Sequence, residues 1–193
     1  AAVAFDKTGT LTRGKPFVTD IVTLNGTQDE VLSMACAVEK CSEHPLANAI
    51  VERATEAEIE TLPNSGFQAL VGLGAKATVD GREIFVGSPE MFDGRTNLVD
   101  GLKEANRLWL EGKTVVFVGT KDNIMGVIAL RDQIRPESKK MVAELHSMGM
   151  EVVMLTGDNE VTALSVAKNL GIDNVRANLK PEDKIVAIQE LKS

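Results

Sequence analysis

The chain has 193 residues, 44% hydrophobic and 25% charged, which is ordinary for a globular protein of one large domain or two small ones. Its formal net charge of −7 argues against a general nucleic-acid or anionic-membrane surface. No apolar stretch approaches the roughly 20 residues that span a bilayer, and no secretory-signal pattern is found. The abrupt start inside an apolar run, without Met, reads as a piece of a longer polypeptide.

That run, Ala1-Ala2-Val3-Ala4-Phe5, predicts a buried strand. Asp6 is thereby presented at a strand's C-terminal end, where open α/β sheets place their ligands. In the string Asp6-Lys7-Thr8-Gly9-Thr10-Leu11-Thr12, Gly9 lets backbone approach a bound group, the threonines supply hydroxyls and Lys7 adds positive charge. The set suits a carboxylate that attacks a phosphoryl group while hydroxyls and amides hold its oxygens. A bare D-x-T would be an ordinary strand-end turn; the whole string is far more specific.

Phe17 to Leu24 reads as extended. Thr27 and Glu30 form a capping box, opening a helix with Val31, Leu32, Ala35 and Val38 on one face and ending near Lys40. Pro45 starts a second helix. Cys36 falls on the first helix and reads as a core residue; with Cys41 it gives neither a disulfide framework nor a Cys-x-x-Cys, although a metal site with His44 is imaginable. Ala75–Val79 and Arg82–Val86 flank Asp80-Gly81 as a tight hairpin. A short helix follows from Ser88, then a longer one with Leu98, Leu102, Ala105 and Leu108, stopped at Gly112. Thr114–Val118 and Ile124–Leu130 make another hairpin.

From Pro136 the period changes. Helix 136–148, strand 151–155, helix 159–170, a short strand from Val175 and helix 181–191 alternate, which implies a parallel sheet. The predicted fold is α/β: residues 1–18 and 129–193 form one discontinuous domain on a parallel Rossmann-type sheet, and residues 19–128 are an inserted α+β domain on an antiparallel sheet.

Leu155-Thr156-Gly157-Asp158-Asn159 follows a strand and opens a helix, so Thr156, Gly157 and the helix-start amides offer an anion site. In Lys180-Pro181-Glu182-Asp183-Lys184 a lysine could neutralise a phosphorylated aspartate.

The Asp6 string resembles the phosphorylation motif of P-type ATPases, ion pumps of the haloacid-dehalogenase superfamily, and the two later motifs resemble that family's TGDN element and downstream lysine. The resemblance implies that Asp6 takes the γ-phosphoryl of ATP and that Thr156 and Lys184 contact it. It also implies that Gly157, Asp158 and Asn159 shape the site and its link to nucleotide, and that Asp132 acts near the hinge and the nucleotide. Superfamily phosphatases carry a second acid two residues after the nucleophile; Thr8 stands there, which implies a longer-lived acyl-phosphate.

Ser42-Glu43-His44-Pro45-Leu46 resembles the SEHPL element of the heavy-metal branch. It implies that His44 and Glu39 lie at the adenine, and that Gly72-Leu73-Gly74 and Gly87 let ATP lie against backbone; Ser88 stands where that family often has Asn. The branch most resembled is the zinc/cadmium/lead exporters, with copper exporters the runner-up. The implied cofactors are ATP and Mg²⁺, the latter held by the Asp6 carboxylate and the Thr8 carbonyl. The implied partners are the membrane and actuator domains of the same pump, on the cytoplasmic side of a membrane, and no nucleic acid. The family's Gly-Asp-Gly-x-Asn-Asp element, whose Asp binds Mg²⁺, is absent before Ser193, so the expectation is a fragment that binds nucleotide but turns over poorly. The alternatives are a stand-alone phosphatase of the superfamily, disfavoured by Thr8, and a nucleotide-binding module without chemistry of its own.

Overall fold

A computed structural model describes residues 2–190. Ala1 of the predicted first strand and Leu191 of the predicted last helix lie outside the described residues. The chain divides into two units, Ala1–Lys15 with Trp109–Lys113 and Asp132–Ser193, and Pro16–Leu108 with Thr114–Arg131.

The first unit is built on a parallel sheet of order β1-β8-β9, from strands β1 (Ala2–Asp6), β8 (Glu151–Leu155) and β9 (Asn174–Arg176). Alternation along β8 places Val152 and Met154 in a core with Val142, Ala163 and Ala167, from helices α4 (Pro136–Ser147) and α5 (Glu160–Leu170). Val153 and Leu155 point the other way, against Ala187 of helix α6 (Pro181–Glu190). Helices therefore cover both faces of β8, the arrangement that continuous apolar strands require. β1 differs from its expected burial: Val3, Ala4 and Phe5 are only half-buried, because the strand pairs on one side alone among the described residues.

The second unit carries a six-stranded sheet of order β2-β7-β6-β5-β4-β3. These strands are β2 (Thr12–Thr23), β3 (Asn64–Leu70), β4 (Gly74–Val79), β5 (Arg82–Gly87), β6 (Thr114–Gly119) and β7 (Ile124–Ile134). β2 and β7 carry the chain between the units. Antiparallel registers join β3 through β7, and the β4–β5 turn has Asp80 at φ 48° and Gly81 at φ 71°, the left-handed pair that a two-residue hairpin demands. Helices α1 (Gln28–Glu39) and α2 (Pro45–Glu56) seal one face through Val31, Leu32, Ala35 and Ile50. The Thr27–Glu30 capping box is formed in full. Helix α3 (Leu98–Leu110) brings Gly101 against the Phe117 ring, on the opposite side of β6 from Val116 and Val118.

The unit boundaries at 15/16 and 131/132 lie three residues from the expected ones at 18/19 and 128/129. Trp109–Lys113, expected within the insertion, groups with the first unit instead. The hydroxyls of Thr162 and Ser165 on α5 donate to the Lys113 and Leu110 carbonyls at 2.9 and 3.0 Å. Periodicity marks where α3 stops but not what its end binds.

Candidate functional site

In the first unit the parallel register sets Asp6 opposite Leu155, so the chain leaves both strands on the same edge of the sheet and Thr156 follows directly. Lys7-Thr8-Gly9-Thr10 is a type II turn, with Thr8 at φ −77°, ψ 124° and Gly9 at φ 78°, ψ −12°. No atom outside its chain neighbours lies within 4 Å of a Cβ built on Gly9, so dihedral angle rather than crowding requires glycine there. Thr8 and Thr10 are exposed, whereas Lys7 and Thr12 are buried.

Lys184 Nζ lies 3.0 and 2.8 Å from the two Asp6 carboxylate oxygens, joining residues 178 apart in sequence. Asp158 N–H donates to the Thr156 hydroxyl at 3.1 Å, which leaves the buried hydroxyl its own proton to donate. Asn159 caps α5, its Oδ1 accepting from Thr162 N–H at 3.0 Å. The loop after β9 clamps the Thr156–Asp158 turn, with Asn178 N–H donating to Asp158 O and Leu179 N–H to Thr156 O. A Cβ on Gly157 would lie 3.2 Å from Leu179 O, so glycine permits this close passage.

Two expected roles change. Lys7 does not offer its charge to a ligand: its ammonium is buried and pairs with Asp158 at 2.5 Å, because a buried ammonium needs a counter-charge. Asp132, expected near the hinge and the nucleotide, stands at the 131/132 unit boundary and uses its carboxylate on the loop that follows Asp6. Oδ2 accepts from the Thr12 hydroxyl at 2.5 Å and Gly14 N–H at 3.2 Å, and Oδ1 from Lys15 N–H at 3.2 Å. Thr12 Oγ1 also lies 3.0 Å from Lys7 O, but it has one proton, and the shorter, charge-assisted contact takes it.

Arg135 and Ser138 complete the loop's anchorage and escaped sequence reasoning. Arg135 Nε and Nη2 donate to Thr12 O and Gly9 O at 3.0 and 3.1 Å, and the Ser138 hydroxyl donates to Leu11 O at 2.9 Å. These pairs are more than 120 residues apart in sequence, and the one available signal was that Arg135 belongs to the same string as Asp132.

In the second unit, Glu39 ends α1 and His44 caps α2, its Nδ1 accepting from Leu46 N–H at 3.2 Å. Burial pushes the Glu39 carboxyl up to about 7, against a lowering hydrogen bond from Ser42. The α1 C-terminus acts in the same sense as burial. Burial lowers the His44 pKa, and the cap agrees, since Nδ1 accepts only when unprotonated. His44 therefore carries its neutral-form proton on Nε2. Cys36 is buried, Cys41 is exposed, and no group of three metal-ligating side chains occurs among the described residues.

The glycines divide. Gly74 and Gly87 are register partners on β4 and β5. A Cβ on Gly74 would meet Val86 O at 2.2 Å, and one on Gly87 would meet Leu73 O at 2.1 Å, so these glycines serve the close approach of the protein's own strands. Gly72, at φ 76°, has nothing within 4 Å of a built Cβ and leaves its loop face open between exposed Val71 and Leu73. Ser88 Oγ is buried without a hydrogen-bond partner among the described residues, and its N–H donates to Leu73 O at 2.7 Å.

A family model described as haloacid dehalogenase-like hydrolase matches residues 1–193. The chain is 40% identical over 200 residues to the probable cadmium-transporting ATPase of Alkalihalophilus pseudofirmus, covering 100% of this chain and 28% of that protein. It is 41% identical over 191 residues to copper-exporting P-type ATPase B of Archaeoglobus fulgidus, covering 99% and 27%. Among solved structures it is similar to the catalytic domain of the CPx-ATPase CopB-B, with TM-score 0.74 and 28% identity over 99% of this chain and 66% of that one. The chain spans about a quarter of the length of the curated relatives it matches.

Proposed function

Because the chain belongs to the haloacid dehalogenase-like hydrolase family and is homologous to the catalytic portion of heavy-metal P-type ATPases, we propose that it is the nucleotide-binding and phosphorylation portion of a heavy-metal cation export pump. The observation that carries this reading is the Asp6–Lys184 pair at the strand edge that also carries Thr156. An Asp6 oxygen attacks the γ-phosphorus of ATP, the bond to the β,γ-bridging oxygen breaks, and ADP leaves with that electron pair. Lys184 and the Thr156 hydroxyl offset charge on the transferred oxygens, and the amide of Gly157 adds a donor. Thr8, exposed at the turn, has no carboxyl with which to activate water, so the acyl-phosphate on Asp6 persists. That favours a pump over a stand-alone phosphatase.

The second unit holds the nucleotide. Glu39 and the Nε2–H of His44 face the base, and the open Gly72 turn lets it lie against backbone. Asp158 and Asp132 act on this chemistry by fixing the two loops. The Asp6 carboxylate and the Thr8 carbonyl would hold Mg²⁺, which would supply positive charge to screen the nucleotide phosphates. These are the two protein ligands of this reading, and among the described residues no group of three His, Cys, Asp or Glu side chains gathers to add to them. We therefore expect residues 1–193 in isolation to bind ATP and turn it over slowly. The ion is a heavy-metal cation; the near-equal identities to cadmium- and copper-named relatives leave its choice to residues outside this chain. Labelling the full-length protein with γ-labelled ATP tests the proposal. A hydroxylamine-sensitive phosphoenzyme, lost in Asp6→Asn, is expected; labelling that survives Asp6→Asn overturns it.

A further inference from the structure

We propose that the cavity lined by Arg13, Lys15, Arg135 and Glu137 is a second anion site, distinct from the Asp6 carboxylate, which takes a phosphate-class oligoanion. The cavity is an open depression of about 320 Å³, and all four residues that line it are exposed. Three of its four lining side chains are cations, in a chain whose formal net charge is −7. No ion pair engages Arg13, Lys15 or Glu137 among the described residues. Three cations beside one carboxylate give the depression a net positive charge that attracts an anion, through solvent that screens the attraction in part.

The walls are held from outside the cavity. Asp132 fixes the backbone that bears Arg13 and Lys15 by accepting from the Gly14 and Lys15 amides. Arg135 is set by its bonds to Thr12 O and Gly9 O and by its N–H to Leu11 O at 3.0 Å. Its Nη1 donors remain uncommitted among the described residues. A guanidinium so fixed has already lost its rotamer freedom, which lowers the cost of binding. Its planar fork matches phosphate oxygens. Three cations against one carboxylate favour an anion of several charges over a lone carboxylate. Because Arg135 holds the Gly9 and Thr12 carbonyls as well as lining the cavity, an anion there is linked to the loop that carries Asp6.

The test follows backbone amide resonances of the 193-residue chain during titration with tripolyphosphate. Saturable shifts are expected at Gly14, Lys15, Glu137 and Ser138. The double variant Arg13→Ala/Lys15→Ala should weaken this binding about tenfold, consistent with removal of two cationic contacts, without moving the thermal midpoint. Glu137→Gln should strengthen it by about threefold through loss of the opposing charge, and it decides the matter where the double variant loses its native spectrum. Lys184→Met should leave the cavity shifts in place while abolishing any at Gly157 and Asp158. Displacement of tripolyphosphate by ATP would assign a nucleotide tail, and displacement by inositol trisphosphate a lipid headgroup; either keeps the site. The absence of saturable shifts at those amides, or equal affinity in all the cavity variants, overturns it.

Discussion

Asp132 Oδ2 accepts the Thr12 hydroxyl at 2.5 Å, and the same carboxylate takes the amides of Gly14 and Lys15, closing a loop whose ends are 120 residues apart. Asp132→Ala strands two part-buried donors, the Thr12 hydroxyl and the Gly14 amide, and leaves the exposed Lys15 amide to water, and a cost of about 1–3 kcal/mol is expected. Asp132→Asn keeps one acceptor oxygen and should cost less. Urea unfolding of the two variants gives the order; equal midpoints in Asp132→Ala and the parent would contradict the anchoring role.

Lys184 and Asp6 are each partly exposed, with side-chain exposures of 27% and 42%, so their ion pair contributes little to folding, less than about 1 kcal/mol. On the proposed reading its value lies in offsetting the charge that builds on the phosphoryl group. Lys184→Met in the full-length protein should slow phosphoenzyme formation about 100-fold or more while ATP affinity changes little. Rapid-quench labelling separates the two quantities, and a matched fall in affinity with an unchanged rate would move Lys184 out of the chemistry.

Gly87 and Gly72 carry the same expectation from sequence, yet they should respond differently. A methyl on Gly87 meets the Leu73 carbonyl at 2.1 Å and Met91 Sδ at 2.4 Å, so Gly87→Ala must push β4 and β5 apart. At Gly72 there is space, and alanine meets only the positive φ, a cost of about 1 kcal/mol. Thermal unfolding should therefore show a much larger drop for Gly87→Ala. Equal drops would mean that the strands do not close on the glycine pair.

These contrasts locate what sequence could carry. Local grammar was legible: the Thr27–Glu30 box, Pro45 as a helix start, the Asp80-Gly81 turn and the alternation of strand and helix after Pro136 each depend on residues within a few positions. The Asp6, Thr156 and Lys184 motifs stand out in the sequence through their resemblance to the pump family, and the structure brings Lys184 to Asp6. What stayed hidden is pairwise and long-range. Nothing near Lys7 says that its ammonium goes to Asp158 rather than to a ligand, and nothing near Trp109 says that its segment docks on α5. A G-x-G states that a Cβ is missing, but whether a ligand or a neighbouring strand fills the gap is decided by register.

Glu39 yields the pH prediction, and its sign follows from burial. Its folded pKa of about 7 lies above the ordinary 4.5, so between those values the folded chain holds a proton that the unfolded chain has lost. Stability supplied by the protonated form is full below pH 4.5 and is lost as pH rises through 7, by at most about 3 kcal/mol. His44 runs the other way: its folded pKa lies below 6.5, so raising the pH through that region favours the folded state. Comparing Glu39→Gln with the parent cancels the histidine contribution, since both chains keep His44. The parent should lose stability relative to Glu39→Gln between pH 5 and 7.5 in urea unfolding at each pH. Parallel curves across that window would show that Glu39 is ionised in the folded state and that its burial does not hold the proton.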